Sequence, residues 1–447
     1  MKLKLKPLAD QVIVITGASS GIGLATARMA AKAGARVVAV ARSGDALAQL
    51  VSEIVTAGGQ AIHVIADVSV EDEVRRVAEI AVGRFGGFDT WVNNAGAGIY
   101  GRIEQVPIAD QRRLMDVNYW SQVHGSLEAV RHFKARNGGA LINIGSEVGE
   151  RGIPLQGAYA ATKHAIKGFT EALRMELEDE GAPVSVTLVK PGQIDTPFPV
   201  NAKNYLPSEP HHVPPVYAPE VVARAILGAA VRPIRDLYAG GGARGMAAAA
   251  HLAPGAIDRP LGAALIPTTP SGREPARSFE DNGLDRPNNR LEEHGNYEGH
   301  VMRTSLYTEA KLHPLAAGAA ALGVGLALLA GAKLKPHAPA RMGGAAGESL
   351  AKALHVTLEA RQGREDEVRE LLRNILAEVQ DEPGTRSWYG VRRTGRVFEI
   401  FETFPDEAAR AAHLAGKGAA LLMARSNELL ARPARIDRLD LLLRKPG

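Results

Sequence analysis

A glycine loop set directly after a strand-length apolar run constrains this chain more than any other feature. Val12–Ile15 is short and apolar, and Thr16-Gly17-Ala18-Ser19-Ser20-Gly21-Ile22-Gly23 follows it without a break. A loop that leaves a strand and opens a helix aims backbone N–H groups at an anion. Glycines there remove side chains where the backbone must come close. The pattern then repeats: apolar runs at Arg36–Val40, Ala61–Ala66, Thr90–Val92, Ala140–Ile144, Val184–Val189 and Asp236–Ala239 alternate with helix-patterned segments. Apolar strands separated by helices predict a parallel sheet covered on both faces, a doubly wound α/β domain.

At 447 residues and 45% hydrophobic, the chain exceeds one ordinary domain. It parses as a Rossmann-type domain over 1–242, irregular extension and linker over 243–311, an Ala/Gly-rich stretch at 312–334 that carries no charge between His313 and Lys333, a second linker at 335–349 and a small α+β domain over 350–447. In the last, Leu354, Val356 and Leu358 alternate as a strand, and Val368, Leu371, Leu372, Ile375, Leu376 and Val379 recur at helical spacing. Arg386–Arg393 and Arg396–Phe404 read as a hairpin, followed by a helix from Asp406 and a last strand, Arg435–Leu443. The order βαββαβ is ferredoxin-like.

The 312–334 stretch is long enough to span a bilayer, and Ala319, Gly323, Ala327 and Gly331 form a small-residue stripe. Because it is only weakly hydrophobic, a buried or interfacial helix is the alternative. The basic start Met1–Lys6 is interrupted by Pro7, Asp10 and Gln11 before any long apolar run, which argues against secretion. The expectation is a cytoplasmic protein associated with the membrane through 312–334. The absence of cysteine excludes disulfides, thiolate metal sites and thiol nucleophiles. A net charge of +4 without a basic block argues against nucleic-acid binding.

The chemistry is carried by Ser146 and the pair Tyr159-x-x-x-Lys163. That spacing puts tyrosine and lysine on one helix face, where the ammonium can lower the phenol's pKa and allow proton exchange near neutral pH. A serine hydroxyl from a strand end can hold a reacting carbonyl oxygen. After the second apolar run, Ala41-Arg42-Ser43 stands where an NAD site usually carries an acid. Arg42 can instead bind a 2′-phosphate, so NADP(H) is the preferred cofactor. His124, His132 and His164 read as surface or packed residues, and no metal site is expected.

With Asp67-Val68, Asn93-Asn94-Ala95-Gly96, Asn118 and Pro191-Gly192 added in order, residues 10 to about 242 resemble the short-chain dehydrogenase/reductases. The resemblance implies a cofactor site formed by Gly17, Ser19, Ser20, Gly21, Ile22 and Gly23, with Asp67 and Val68 at the adenine and Asn94, Ala95 and Gly96 lining the cleft. Pro191, Gly192 and Ile194 would border the nicotinamide, with Thr196 near the phosphates or carboxamide. Asn118, Ser146, Tyr159 and Lys163 would be catalytic, with Asn118 holding a water of the proton relay and Lys163 also binding the nicotinamide ribose. The implied activity interconverts a carbonyl and an alcohol. The substrate pocket should be bordered by Glu147–Gln156 and by the segment after Pro191-Gly192, where Phe198, Tyr205, Leu206 and several prolines suggest a mobile, partly apolar lid, hence a lipophilic alcohol or ketone.

Residues 350–447 resemble the antibiotic biosynthesis monooxygenase family of dimeric α/β-barrel domains, through Glu359-Ala-Arg-Gln-Gly-Arg-Glu-Asp-Glu-Val368, Glu382-Pro-Gly-Thr385 and Ile400-Phe-Glu-Thr-Phe-Pro-Asp-Glu407 with His413-Leu414. These motifs specify turns and packing better than an activity. Dimerisation or ligand binding is expected there, with Trp388, Tyr389 and His413 as pocket or core residues. Cofactor-free oxygenation is one alternative, and a non-catalytic NADP(H)-binding sensor or scaffold is another. A homo-oligomer is expected.

Overall fold

The first strand, β1 (Val12–Thr16), shows how the layers form: Ile13 and Ile15 enter one core, Val12 and Val14 the other, none more than 2% exposed. Each such side chain, once buried, stabilises the fold by ~1.5–3 kcal/mol. The computed structural model describes residues 3–136, 138–241, 254–313, 352–380, 382–393 and 395–440. The chain divides into two compact units, Met1–Leu334 and Lys335–Gly447.

In the first unit, β1 is joined by β2 (Arg36–Ala41), β3 (Gln60–Ile65), β4 (Thr90–Asn93), β6 (Gly139–Ile144), β7 (Val184–Pro191) and β11 (Asp236–Ala239). Short strands β5 (Ile99–Tyr100), β8 (Gln193–Ile194), β9 (Lys203–Asn204) and β10 (Val216–Tyr217) lie outside this sheet. The sheet is parallel, in the order β11-β7-β6-β4-β1-β2-β3. Its direction reverses between β1 and β4, and a crevice opens at that switch point, beyond the strand C-termini. Helices α1 (Gly21–Lys32), α2 (Gly44–Thr56) and α8 (Pro219–Val231) cover one face, and α3 (Glu71–Phe85), α5 (Ser121–Ala135) and α6 (Gly157–Asp179) the other; α4 (Ile108–Met115) and α7 (Phe198–Asn201) are shorter. The expected doubly wound fold is present.

The stretch 243–311, expected as irregular extension and linker, contains the helix Pro254–Thr268, is irregular over much of the rest of its described length, and belongs to the first unit. Strand β12 (Val301–Met302) pairs with β10, which pairs with β8. The helix Leu306–Leu312 is capped by Ser305, whose Oγ accepts from Thr308 N at 3.3 Å. Composition reveals flexible residue types, but not the backbone and turn hydrogen bonds that fix them here. Leu312, expected to open the apolar stretch, closes this helix and is 4% exposed. It packs over Gly228 in α8, where a Cβ would lie 2.4 Å from Leu312 Cδ2. Beyond His313, the 312–334 stretch lies outside the described residues. Among the described residues no helix is long and apolar enough to cross a membrane.

In the second unit, β13 (Lys352–Glu359), β14 (Ser387–Arg392), β15 (Val397–Phe404) and β16 (Arg435–Asp440) form an antiparallel sheet in the order β14-β15-β13-β16. With helices Glu365–Val379, Glu407–Leu414 and Lys417–Leu429, this is the ferredoxin-like arrangement read from the sequence. Asp406 caps its helix, Oδ1 accepting from Ala409 N at 2.8 Å.

Candidate active site

The loop after β1 is held by side chains from its neighbours. Thr16 Oγ1 accepts from the N–H groups of Asn94 and Ala95, both at 3.0 Å, and Asn94 Nδ2 donates back to Thr16 O at 2.9 Å. Gly17 has a φ of +68°, and a Cβ on Gly23 would lie 2.1 Å from Gly17 O. Glycine is required at both places. The turn therefore closes tightly, and α1 begins at Gly21 beside the crevice.

The crevice holds a cavity of about 260 Å³. Arg42 after β2 and Asp67 with Val68 after β3 mark one end, while Ser146 after β6 and Pro191, Gly192, Ile194 and Thr196 at and after the end of β7 mark the other. Gly17, Ser19, Ser20, Gly21, Ile22, Asn94, Ala95 and Gly96 line the stretch between, and Tyr159 and Lys163 reach the cavity from α6. Asp67 is held below its ordinary pKa: burial opposes this, but hydrogen bonds from Ser69 and Arg113 prevail.

Ser146 Oγ accepts from Val148 N at 3.3 Å, capping the short turn Glu147–Gly149, and hydrogen-bonds the Tyr159 phenol. Tyr159 also packs on Phe198, ring centroids 5.3 Å apart. Lys163 Nζ donates to Ile144 O at 2.9 Å and lies 5.6 Å from the Tyr159 ring centroid. Burial pushes Lys163 down to about 7. It also pushes the Tyr159 phenol up, with the Ser146 hydrogen bond acting against it and the Glu147 charge with it. The expected lowering of the phenol by the ammonium is thus not what the side-chain surroundings produce. The lysine is itself desolvated, and its Nζ is bound to a carbonyl rather than to the phenol.

A family model described as short chain dehydrogenase matches residues 11–205. The uncharacterized oxidoreductase YxnA of Bacillus subtilis is 46% identical over 325 residues, covering 72% of this chain and 91% of that relative. The chain belongs to the short-chain dehydrogenase family. D-beta-hydroxybutyrate dehydrogenase of Rhizobium meliloti is 37% identical over 41% of this chain and 72% of its own length. 3beta-hydroxysteroid dehydrogenase of Mediterraneibacter gnavus is 35% identical over 42% and 68%. A short chain dehydrogenase/reductase from Burkholderia phymatum, solved in complex with NAD, superimposes with a TM-score of 0.52 at 23% identity, covering 61% of this chain and 99% of that one, and shows the shared fold. A match over 72% of the chain spans residues 243–311 wherever it begins, so YxnA shares this dehydrogenase's extension.

That extension reshapes the short-chain dehydrogenase site. Residues 282–296 form a strap along the crevice. Arg42 donates to Gly283 O at 2.5 Å and to Leu284 O and Arg286 O at 3.2 Å, and Ser43 Oγ donates to Asn289 Oδ1 at 2.7 Å. Gly21 N–H, one of the loop's donors expected to face an anion, donates to Glu292 O at 2.8 Å. Farther on, Gly295 N donates to Asp195 Oδ1 at 3.2 Å. Gly283, Arg286, Pro287 and Asn288 join the cavity wall. Arg42 therefore lines the cavity while holding the dehydrogenase's own backbone.

Two expected site residues do not line the cavity. Gly23 lies beneath the loop. Asn118 is buried in the π-helical turn Asp116–Trp120, its Oδ1 accepting from Ala97 N at 2.8 Å and its Nδ2 donating to Ala97 O and Thr162 Oγ1 at 3.1 Å. Its amide thus ties the segment after β4 to α6. Sequence reasoning missed the anchoring role of Thr16, the strap, and His212, which lines the cavity; Gln193, within the expected Pro191–Ile194 border, lines it too. Thr16 was visible as the first residue of the glycine motif, whereas His212 and the strap carried no local signal. Among the described residues, ligand atoms of Glu220, Glu293 and His294 lie within 4.8 Å of one another. His294 is paired with Asp195 and Glu220, and Glu293 with Arg28, so we assign no metal to them.

Proposed function

We propose that this oxidoreductase interconverts a carbonyl and an alcohol with NADP(H). The observation that carries the reading is the convergence of Ser146, Tyr159 and Lys163 on the cavity that the glycine loop also lines. The residues fit a dinucleotide: glycines leave room beside the helix N-terminus, and Arg286 lines the end opposite Ser146 together with Arg42, whose charge remains there although strap carbonyls accept from its donors. The residues directly after β2 are Arg42 and Ser43 rather than an acid, which supports NADP(H) over NAD(H). When bound, the reduced nicotinamide supplies a hydride to the carbonyl carbon. Ser146 Oγ orients the carbonyl oxygen, and Tyr159 O–H donates the proton to it. Lys163 supports proton return, its depressed pKa allowing it to exchange near neutrality. The test is oxidation of NADPH against ketones and aldehydes of graded length, with NADH and Tyr159→Phe as controls. Turnover that prefers NADPH and vanishes in the variant is expected, and equal turnover by the variant refutes the assignment.

The second unit supports a ligand-binding reading. Its cavity of about 170 Å³ is lined mainly by apolar side chains together with Glu402 and His413. An oxygenase role predicts substrate-dependent oxygen uptake without added cofactor.

A further inference from the structure

The reacting end of the first unit's cavity is not uniformly apolar. Glu147, next to Ser146, is 8% exposed, and Gln193 Nε2 donates to its Oε1 at 3.3 Å. Gln193 Oε1 in turn meets His212 Nδ1 at 3.1 Å, and His212 is 7% exposed. Both Glu147 and His212 line the cavity. Gln156, also lining it and 8% exposed, hydrogen-bonds Tyr100. A carboxyl, two amides, an imidazole and a phenol thus stand around the position where Ser146 and Tyr159 meet a carbonyl. Buried polar groups of this kind are retained at a cost unless a partner satisfies them.

The charges limit what that partner can be. The cations lining the cavity are Arg42, Lys163 and Arg286. Arg42 is engaged by the strap with Arg286 beside it, and Lys163 is bound to Ile144 O. His212 is pushed down to about 4, chiefly by burial, so it is neutral at pH 7. A substrate carboxylate beside Glu147 would therefore be desolvated and repelled. A hydroxyl, which both donates and accepts, matches amides, a neutral imidazole and a carboxyl in either protonation state.

Resting on the carbonyl–alcohol reading above, we propose that the substrate is a hydroxylated carbonyl compound or the corresponding diol, whose second oxygen is bound by Glu147 with Gln193 and His212. Plain ketones and keto acids are then poor substrates. A site built to bond a hydroxyl discriminates against the analogue lacking it, because its own buried groups are left unpaired.

The test compares three ketones of equal carbon number with the full chain and reduced cofactor: butan-2-one, 3-hydroxybutan-2-one and acetoacetate. The hydroxyketone is expected to exceed butanone in kcat/KM by about tenfold or more, with acetoacetate lowest. Glu147→Leu should bring the hydroxyketone-to-butanone ratio to about one, while Glu147→Gln, which still hydrogen-bonds, keeps part of it. A merely structural role for Glu147 would slow all ketones by a common factor and leave the ratio unchanged. A wild-type ratio near one, an unchanged ratio in Glu147→Leu and Glu147→Gln, or preference for acetoacetate would each overturn the inference while leaving the reductase reading intact. Turnover of none of the three by the wild type, at a rate no higher than that of Tyr159→Phe, would refute both.

Discussion

Replacing Glu147 by glutamine tests whether this carboxyl is as desolvated as its surroundings require. Burial pushes its pKa up to about 7 from an ordinary 4.5, with the Gln193 hydrogen bond pulling weakly the other way. In the folded chain the proton is held over a range in which the unfolded chain has released it. Native stability must then fall as pH rises from about 4.5 to about 7 and level off above. At ~1.36 kcal/mol per pH unit, the full loss is ~3 kcal/mol. Glutamine has the shape of the protonated acid and no charge to desolvate, so Glu147→Gln escapes the loss. A Trp388→Phe background leaves Trp91 and Trp120, both in the first unit, to report urea unfolding by fluorescence. The stability of Glu147→Gln relative to its parent should grow by ~3 kcal/mol between pH 4.5 and 8.5, most steeply below pH 7. A difference that stays constant, or shrinks with alkali, refutes the reasoning and places the carboxyl in contact with solvent.

Other predictions follow from single contacts. Tyr159→Phe removes the proton donor and should lower kcat by roughly 10²–10⁴-fold while cofactor affinity by fluorescence titration is kept; undiminished turnover excludes the tyrosine as donor. Gly23→Ala sets a Cβ 2.1 Å from Gly17 O, so cofactor affinity should collapse and the first unit lose ~1–3 kcal/mol in urea titration; wild-type behaviour contradicts the close approach. His413 is 7% exposed, with Nδ1 2.6 Å from Glu382 and Nε2 2.8 Å from Glu402. Burial lowers its pKa, but the two carboxylates outweigh burial and raise it. Its contribution to the second unit should therefore be complete below pH 6.5 and disappear as pH rises through the raised value. His413→Ala strands the buried Glu402 and should cost ~3–5 kcal/mol near pH 6, read from Trp388 fluorescence; a pH-independent loss excludes the ion pairs as its source.

The periodic parts of both units were legible because apolar alternation and helical spacing are local. Ile13 and Ile15 against Val12 and Val14, or Leu354, Val356 and Leu358, reach the cores that their pattern assigns. The site residues were legible for a similar reason: Thr16–Gly23 and Tyr159–Lys163 are short motifs whose geometry is set within a turn or two. What escaped was non-local. Nothing near Arg42 indicated that its donors would meet carbonyls more than 240 positions away. The Asn- and Gly-rich stretch read as linker has a composition suited equally to a free tether and to a chain held by backbone hydrogen bonds. The electrostatics escaped too: spacing placed Lys163 near Tyr159, but the Ile144 carbonyl and the burial of both groups decided their titration.

The strap also orders the birth of the site in time. Thr196, which lines the cavity, and Gly295, which closes on Asp195, are separated by about a hundred residues of synthesis, roughly 5–20 s at ordinary elongation rates. During that interval a nascent chain can assemble its glycine loop, its central strands and its Ser146, Tyr159 and Lys163, yet Arg42 and Gly21 still face water. The crevice acquires its remaining wall only when the strap emerges and folds back. Assembly of this cavity is therefore a late event of chain growth, and a transcript interrupted between those points would yield the reacting groups without their enclosure.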